Sequence, residues 1–79
     1  MTTYAHTLRK DGRTRHFEIQ RDTAGWRVVD RADTTVLREI HYSDWHRVER
    51  ARRAFTIECS VLRAEGWIDP PDPRHSTKR

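Results

Sequence analysis

The chain predicts an α+β domain in two layers, an antiparallel meander sheet of three to four strands packed on one C-terminal α-helix (ββββα). Three observations lead there. Short runs of alternating apolar and polar residues, separated by turn residues, occupy the first half. Asp11-Gly12 between two of those runs is a strong hairpin signal, because a two-residue turn needs positive φ at both positions. The stretch 43–67, SDWHRVERARRAFTIECSVLRAEGW, then repeats apolar residues at helical spacing between a start and a stop marker.

The first hairpin follows from its turn. Closing the chain at Asp11-Gly12 sets Tyr4 opposite Ile19, His6 opposite Phe17 and Leu8 opposite Arg15. Strand alternation then places Tyr4, Leu8, Phe17 and Ile19 on a buried face, with Thr7, Arg9, Thr14, His16 and Glu18 on the other. A second loop, 22–25, leads into a third strand, 26–30, in which Val28 lies beside Ile19 while Arg27 and Val29 point out. The fourth strand, about 35–41, has two possible registers. A one-residue change in the turn at 31–33 decides whether Leu37 or the Val36/Ile40 pair faces inward.

Ser43 is expected to cap the helix, with Asp44 in its first turn complementing the helix dipole. Gly66 marks the left-handed residue past the helix end, with Trp67 folding back on Leu62. Trp45, Val48, Ala51, Phe55, Cys59 and Leu62 share one stripe that should lie on the sheet. Glu49 stands four residues before Arg53, the spacing of a solvent-side ion pair. The face away from the sheet is basic in its first half, with His46, Arg50 and Arg53, and apolar in its second, with Ile57 and Val61. Residues 1–68 are expected to form the single domain, and 69–79, rich in proline and without large apolar residues, a disordered tail.

The 79 residues suffice for one domain with a small core. Cys59 is the only cysteine, so no internal disulfide reinforces that core and a reducing compartment is indicated. The N-terminal stretch lacks the apolar run of a secretory signal, and no segment has the length and apolarity of a membrane span. The expectation is a cytoplasmic protein with no membrane partner. Net charge is +4, and 14 of the 16 basic residues are arginine, but acidic residues are interleaved with them.

Chemistry that would mark an enzyme is missing from the pattern. Cys59 sits on the core stripe, where a thiol acts as a small hydrophobe. His41, Asp44 and His46 lack the spacing of a helical histidine pair or a zinc knuckle. His6 faces inward, where a backbone partner is the common arrangement. The glycines form no phosphate cradle, and no carboxylate pair suggests acid–base work. The expectation is therefore a protein that is not an enzyme, with no catalytic residue, cofactor or metal.

Two binding readings remain. In the first, the chain is a protein-interaction module that meets an unidentified protein partner, or itself as a weak homodimer, through Arg50, Arg53, Ile57 and Val61. Aliphatic residues out of place in a two-layer fold are more informative than arginines in a charge-rich chain. In the second, the partner is nucleic acid. The hairpin RKDGRTR carries four basic residues to one acidic, and a two-stranded ribbon can enter a DNA major groove. Arg9, Lys10, Arg13, Arg15, His16 and Arg27 are its candidate contacts. In layout, a meander sheet followed by one helix is similar to small DNA-binding domains of the integrase-arm type, which lay the sheet face in the groove. The likeness is of topology; the fourth strand departs from it, and no site residue is carried over.

Overall fold

The computed structural model describes residues 2–69 and shows a small α+β domain, with four antiparallel strands in one open sheet packed against a single C-terminal helix. The elements are β1 (Thr2–Lys10), β2 (Arg13–Asp22), β3 (Gly25–Ala32), β4 (Thr35–Tyr42) and α1 (Trp45–Ala64), and the sheet order is that of the chain. Residues 70–79, most of the expected tail, lie outside the described residues. Asp69, its first residue, packs back beside Arg63 and His6.

Turn chemistry fixes the first register. Asp11 and Gly12 take φ of 52° and 77°, the paired positive angles of a hairpin turn whose twist matches its strands. Tyr4, His6 and Leu8 accordingly pair with Ile19, Phe17 and Arg15, as expected from the sequence. Arg21 pairs with Trp26, which brings Val28 beside Ile19. The core consists of Leu8, Phe17, Ile19 and Val28 from the sheet with Val48, Phe55, Cys59 and Leu62 from α1. Phe55 stacks against Tyr4 and meets Phe17 at a tilt, at 6.1 and 4.9 Å between ring centres. Val29 faces away from the helix yet is also buried. Its cross-strand neighbours Glu18 and Glu39 flank it on either side.

β4 follows neither simple register. Val28 pairs with Ile40 and Asp30 with Arg38, but Arg31 pairs with Val36, so Leu37 is the extra residue of a bulge. A bulge shifts alternation by one. Ile40 therefore points to the helix side and Val36 to the opposite one, which splits a pair that strict alternation would keep together.

The helix ends differ from expectation at one side only. Asp44, not Ser43, is the N-cap, and its carboxylate accepts from the His46 N–H at 2.9 Å. β4 runs on to Tyr42, opposite Trp26, so Ser43 makes the turn and the capping position moves one residue on. At the other end Gly66 takes φ of 104°. Its N–H donates to Arg63 O and that of Trp67 to Leu62 O, both at 3.0 Å, the two bonds of a Schellman cap. Trp45 leaves the predicted stripe. It overhangs the sheet end, exposed, with its ring 5.5 Å from that of Trp26. Glu49 binds Arg52 at 2.5 Å, and the expected partner Arg53 is farther off at 3.8 Å.

Candidate functional site

The two edges of the sheet are treated unequally. Beyond the Schellman turn, Ile68 pairs with β1: Arg9 N–H donates to Ile68 O at 2.8 Å, and Ile68 N–H to Arg9 O at 2.9 Å. Lys10 donates to the Glu65 carbonyl at 2.5 Å, and Asp69 lies 3.2 Å from Arg63 and 2.9 Å from His6. His6 thus finds its partners in a carboxylate and a guanidinium rather than in the backbone. No described segment pairs with the outer edge of β4. Val36, Leu37 and Ile40 on that strand are 47%, 53% and 37% exposed.

The path of α1 makes this edge a groove. The helix begins just after β4 and ends against β1, so it crosses the sheet and leaves part of β3 and β4 uncovered. Phe17, Ile40, Tyr42, Ala51, Ala54 and Phe55 are the main apolar lining. The groove holds a small cavity of about 60 Å³ that adjoins a wider one of about 280 Å³. Ile57 and Val61, farther along the helix, are 65% and 50% exposed and line neither cavity. Ala54 borders the groove, and Val61, seven residues on, shares its flank.

Charge is distributed unevenly across the groove. At its floor Asp30 is only 4% exposed. Arg15 Nη2 donates to both its oxygens, at 3.0 and 3.3 Å, while the guanidinium carbon lies 5.1 Å from the centre of the Phe17 ring. Arg15 Nε is buried without a partner among the described residues. Glu58 stands 3.8 Å from Arg15, and Arg38 3.8 Å from Asp30. At the wide mouth Arg38, Arg47 and Arg50 surround Tyr42 and the two alanines. No side-chain hydrogen bond or ion pair joins Arg47 or Arg50 to another described residue. Asp30 is already engaged by Arg15, so the mouth is net positive.

Of the interaction residues expected from sequence, Arg50, Arg53, Ile57 and Val61 are all exposed on α1. The structure adds what the sequence did not reveal, namely that Arg50 borders a groove beside β4, whose outer edge pairs with no described segment. Arg15 and Asp30 carried a signal. Strand parity puts both among inward-facing residues, and two charges at inward positions of neighbouring strands suggest a buried pair.

The six nucleic-acid candidates do not form one surface. Strand alternation places Arg9, His16 and Arg27 on the open face and Lys10, Arg13 and Arg15 on the helix side. Arg15 is correspondingly engaged at the groove floor, and Lys10 by the helix terminus. On the open face a polar chain crosses the sheet. Thr7 meets His16 at 2.7 Å, His16 meets Glu18 at 3.2 Å, and Gln20 donates to Glu18 at 2.5 Å. Arg27 then donates to Gln20 and to Glu39, each at 3.0 Å. Partial burial raises the Glu18 carboxyl, but hydrogen bonds from Gln20 and His16 outweigh it and hold the group below its ordinary range. Two carboxylates, Glu18 and Glu39, thus sit among the basic candidates of the open face.

Burial pushes the Cys59 thiol up. That is the environment of a packed thiol rather than a nucleophile. Among the described residues no group of three or more His, Cys, Asp or Glu side chains could hold a metal ion. His41 instead lies 3.3 Å from Asp22. No helix among the described residues is long and apolar enough to cross a membrane. Comparison with protein-family models, with curated proteins and with solved structures gave no match.

Proposed function

We propose that the chain is a protein-interaction module that binds through the outward flank of α1 and the neighbouring uncovered part of the sheet. The observation that carries this reading is the exposure of Ile57 and Val61, at 65% and 50%, on the same helix that borders an apolar groove. Isolated exposed aliphatics are ordinary, but aliphatics on a helix that also borders a concavity, near a strand edge left unpaired among the described residues, offer a surface that a partner can bury. The nucleic-acid reading has less support, since Glu18 and Glu39 interrupt the open face and half of its basic candidates lie on the helix side.

The test is site-specific photo-crosslinking in the cell that expresses the chain. A photoreactive amino acid in place of Ile57 should give a protein adduct, whereas the same group in place of Arg9 should not. Absence of a protein adduct at position 57, or a nucleic-acid adduct at position 9, overturns the proposal. Ile57→Glu and Val61→Glu should abolish the adducts formed from a photoreactive group at position 54 and change stability by less than about 0.5 kcal/mol.

A further inference from the structure

We infer that the groove between α1 and β4 takes an acidic, extended segment of a partner protein, which adds to the sheet as a fifth strand along β4. This rests on the interaction-module reading and names its partner. Three features converge. The β4 edge leaves alternate backbone N–H and C=O groups facing outward, the template for strand addition. The Leu37 bulge divides the ladder and leaves Arg38–Tyr42 as its longer regular stretch, the better place for such a strand to pair. Arg38, Arg47 and Arg50 border that stretch, and the one carboxylate buried at the floor, Asp30, is taken by Arg15.

Strand alternation converts this into a sequence signature. On the helix side an added strand lies next to Arg38, Ile40 and Tyr42, and on the other side next to Glu39 and His41. Residues directly opposite across a ladder interact most. The segment should therefore carry a carboxylate opposite Arg38 and an aliphatic residue two positions away, opposite Ile40. The intervening residue faces Glu39 and should not be acidic. A second copy of this chain fits less well. Pairing β4 with itself gathers Arg38, Arg47 and Arg50 of both copies around one junction, in a protein whose net charge is already +4.

The probe is a phage-displayed library of random dodecapeptides, panned at low salt against the full chain. The expected result is enrichment of sequences with Asp or Glu two positions from Val, Ile or Leu. A synthetic peptide of the enriched sequence, titrated into isotope-labelled protein, should shift the amides of Arg38–Tyr42 and 47–54 and leave those of 9–16 in place. Added salt should weaken it. The surface double variant Arg47→Glu/Arg50→Glu should lower its affinity about tenfold with an unchanged melting temperature.

Enrichment without carboxylates, or affinity indifferent to the double variant, overturns the inference. So does failure to enrich any peptide. Shifts confined to Ile57 and Val61 would also overturn it while the interaction-module reading stands. A concentration-dependent dimer in sedimentation that Ile40→Lys abolishes would assign the edge to a second copy, again against this inference only. Absence of any peptide, together with no protein adduct at position 57, removes both.

Discussion

Asp30→Ala should be among the more damaging single changes to this domain, for reasons that follow from the groove floor. Asp30 is 4% exposed and accepts both of its short bonds from Arg15, whose side chain is itself only 16% exposed. Removing one partner of a fully buried ion pair costs about 3–5 kcal/mol, chiefly because the other charge stays buried. Two features reduce that here. Arg15 keeps some contact with solvent, and Glu58 at 3.8 Å can move toward it. The expected loss is about 2–3 kcal/mol. Arg15→Met should cost less, about 1–2 kcal/mol, because Arg38 stands 3.8 Å from the freed carboxylate and can replace the lost guanidinium. Replacing both, Arg15→Met with Asp30→Ala, leaves no buried unpaired charge and should cost no more than about 1–2 kcal/mol. Urea unfolding followed by tryptophan fluorescence gives each value, and the four proteins close a double-mutant cycle whose coupling should be at least about 1 kcal/mol. A coupling below about 0.5 kcal/mol, or an Asp30→Ala protein as stable as its parent, refutes the assignment of this pair as a buried structural element.

Other substitutions probe other parts of the fold. Gly25 has φ of 141°, and a Cβ there would press on the Tyr42 carbonyl and lie 3.1 Å from Ser43 Cα. Gly25→Ala should therefore lose about 2–4 kcal/mol in thermal or urea unfolding. Gly12→Ala, at φ of 77° but with open space around the new methyl, should lose only about 1 kcal/mol. Equal losses would show that backbone strain alone sets both. Cys59 should react with a thiol reagent at least about a hundredfold more slowly in the native protein than in urea, since burial both shields it and raises its thiol. Glu18, held below the ordinary glutamate range, contributes stability that is complete above that range and lost as pH falls through its lower folded-state value. Comparing unfolding of the parent with Glu18→Gln between about pH 6 and 3 should thus show the difference shrinking toward low pH. A constant difference would mean that the carboxylate is not what the network stabilises.

Much of this architecture was legible before any tertiary contact was known, and the reason is locality. Asp11-Gly12 demands positive φ at two successive residues, which fixes a turn, and the turn fixes every pair from Tyr4–Ile19 to Leu8–Arg15. Helical spacing fixes Val48, Phe55, Cys59 and Leu62 on one stripe, and Gly66 ends the helix because it takes a conformation that side chains resist. The exposed face of Ile57 and Val61 follows from the same spacing. Each inference needs only residues adjacent in sequence or paired through a short turn.

The groove, its charge and the unequal edges needed the tertiary structure. The angle at which α1 crosses the sheet depends on how Phe55 nests between Tyr4 and Phe17 and on where Ile68 docks along β1, contacts between residues far apart in the chain. The Leu37 bulge inserts one residue that strict alternation cannot anticipate, and it decides which side Val36 and Ile40 take. Strand parity puts Arg15 and Asp30 on the helix side, but their meeting is a diagonal contact across β2 and β3 that side-chain packing sets. Sequence thus determined the elements and their faces, because local sterics and periodicity act within a few residues. Tertiary packing decided which surface was left unfilled, because that depends on how those faces fit together.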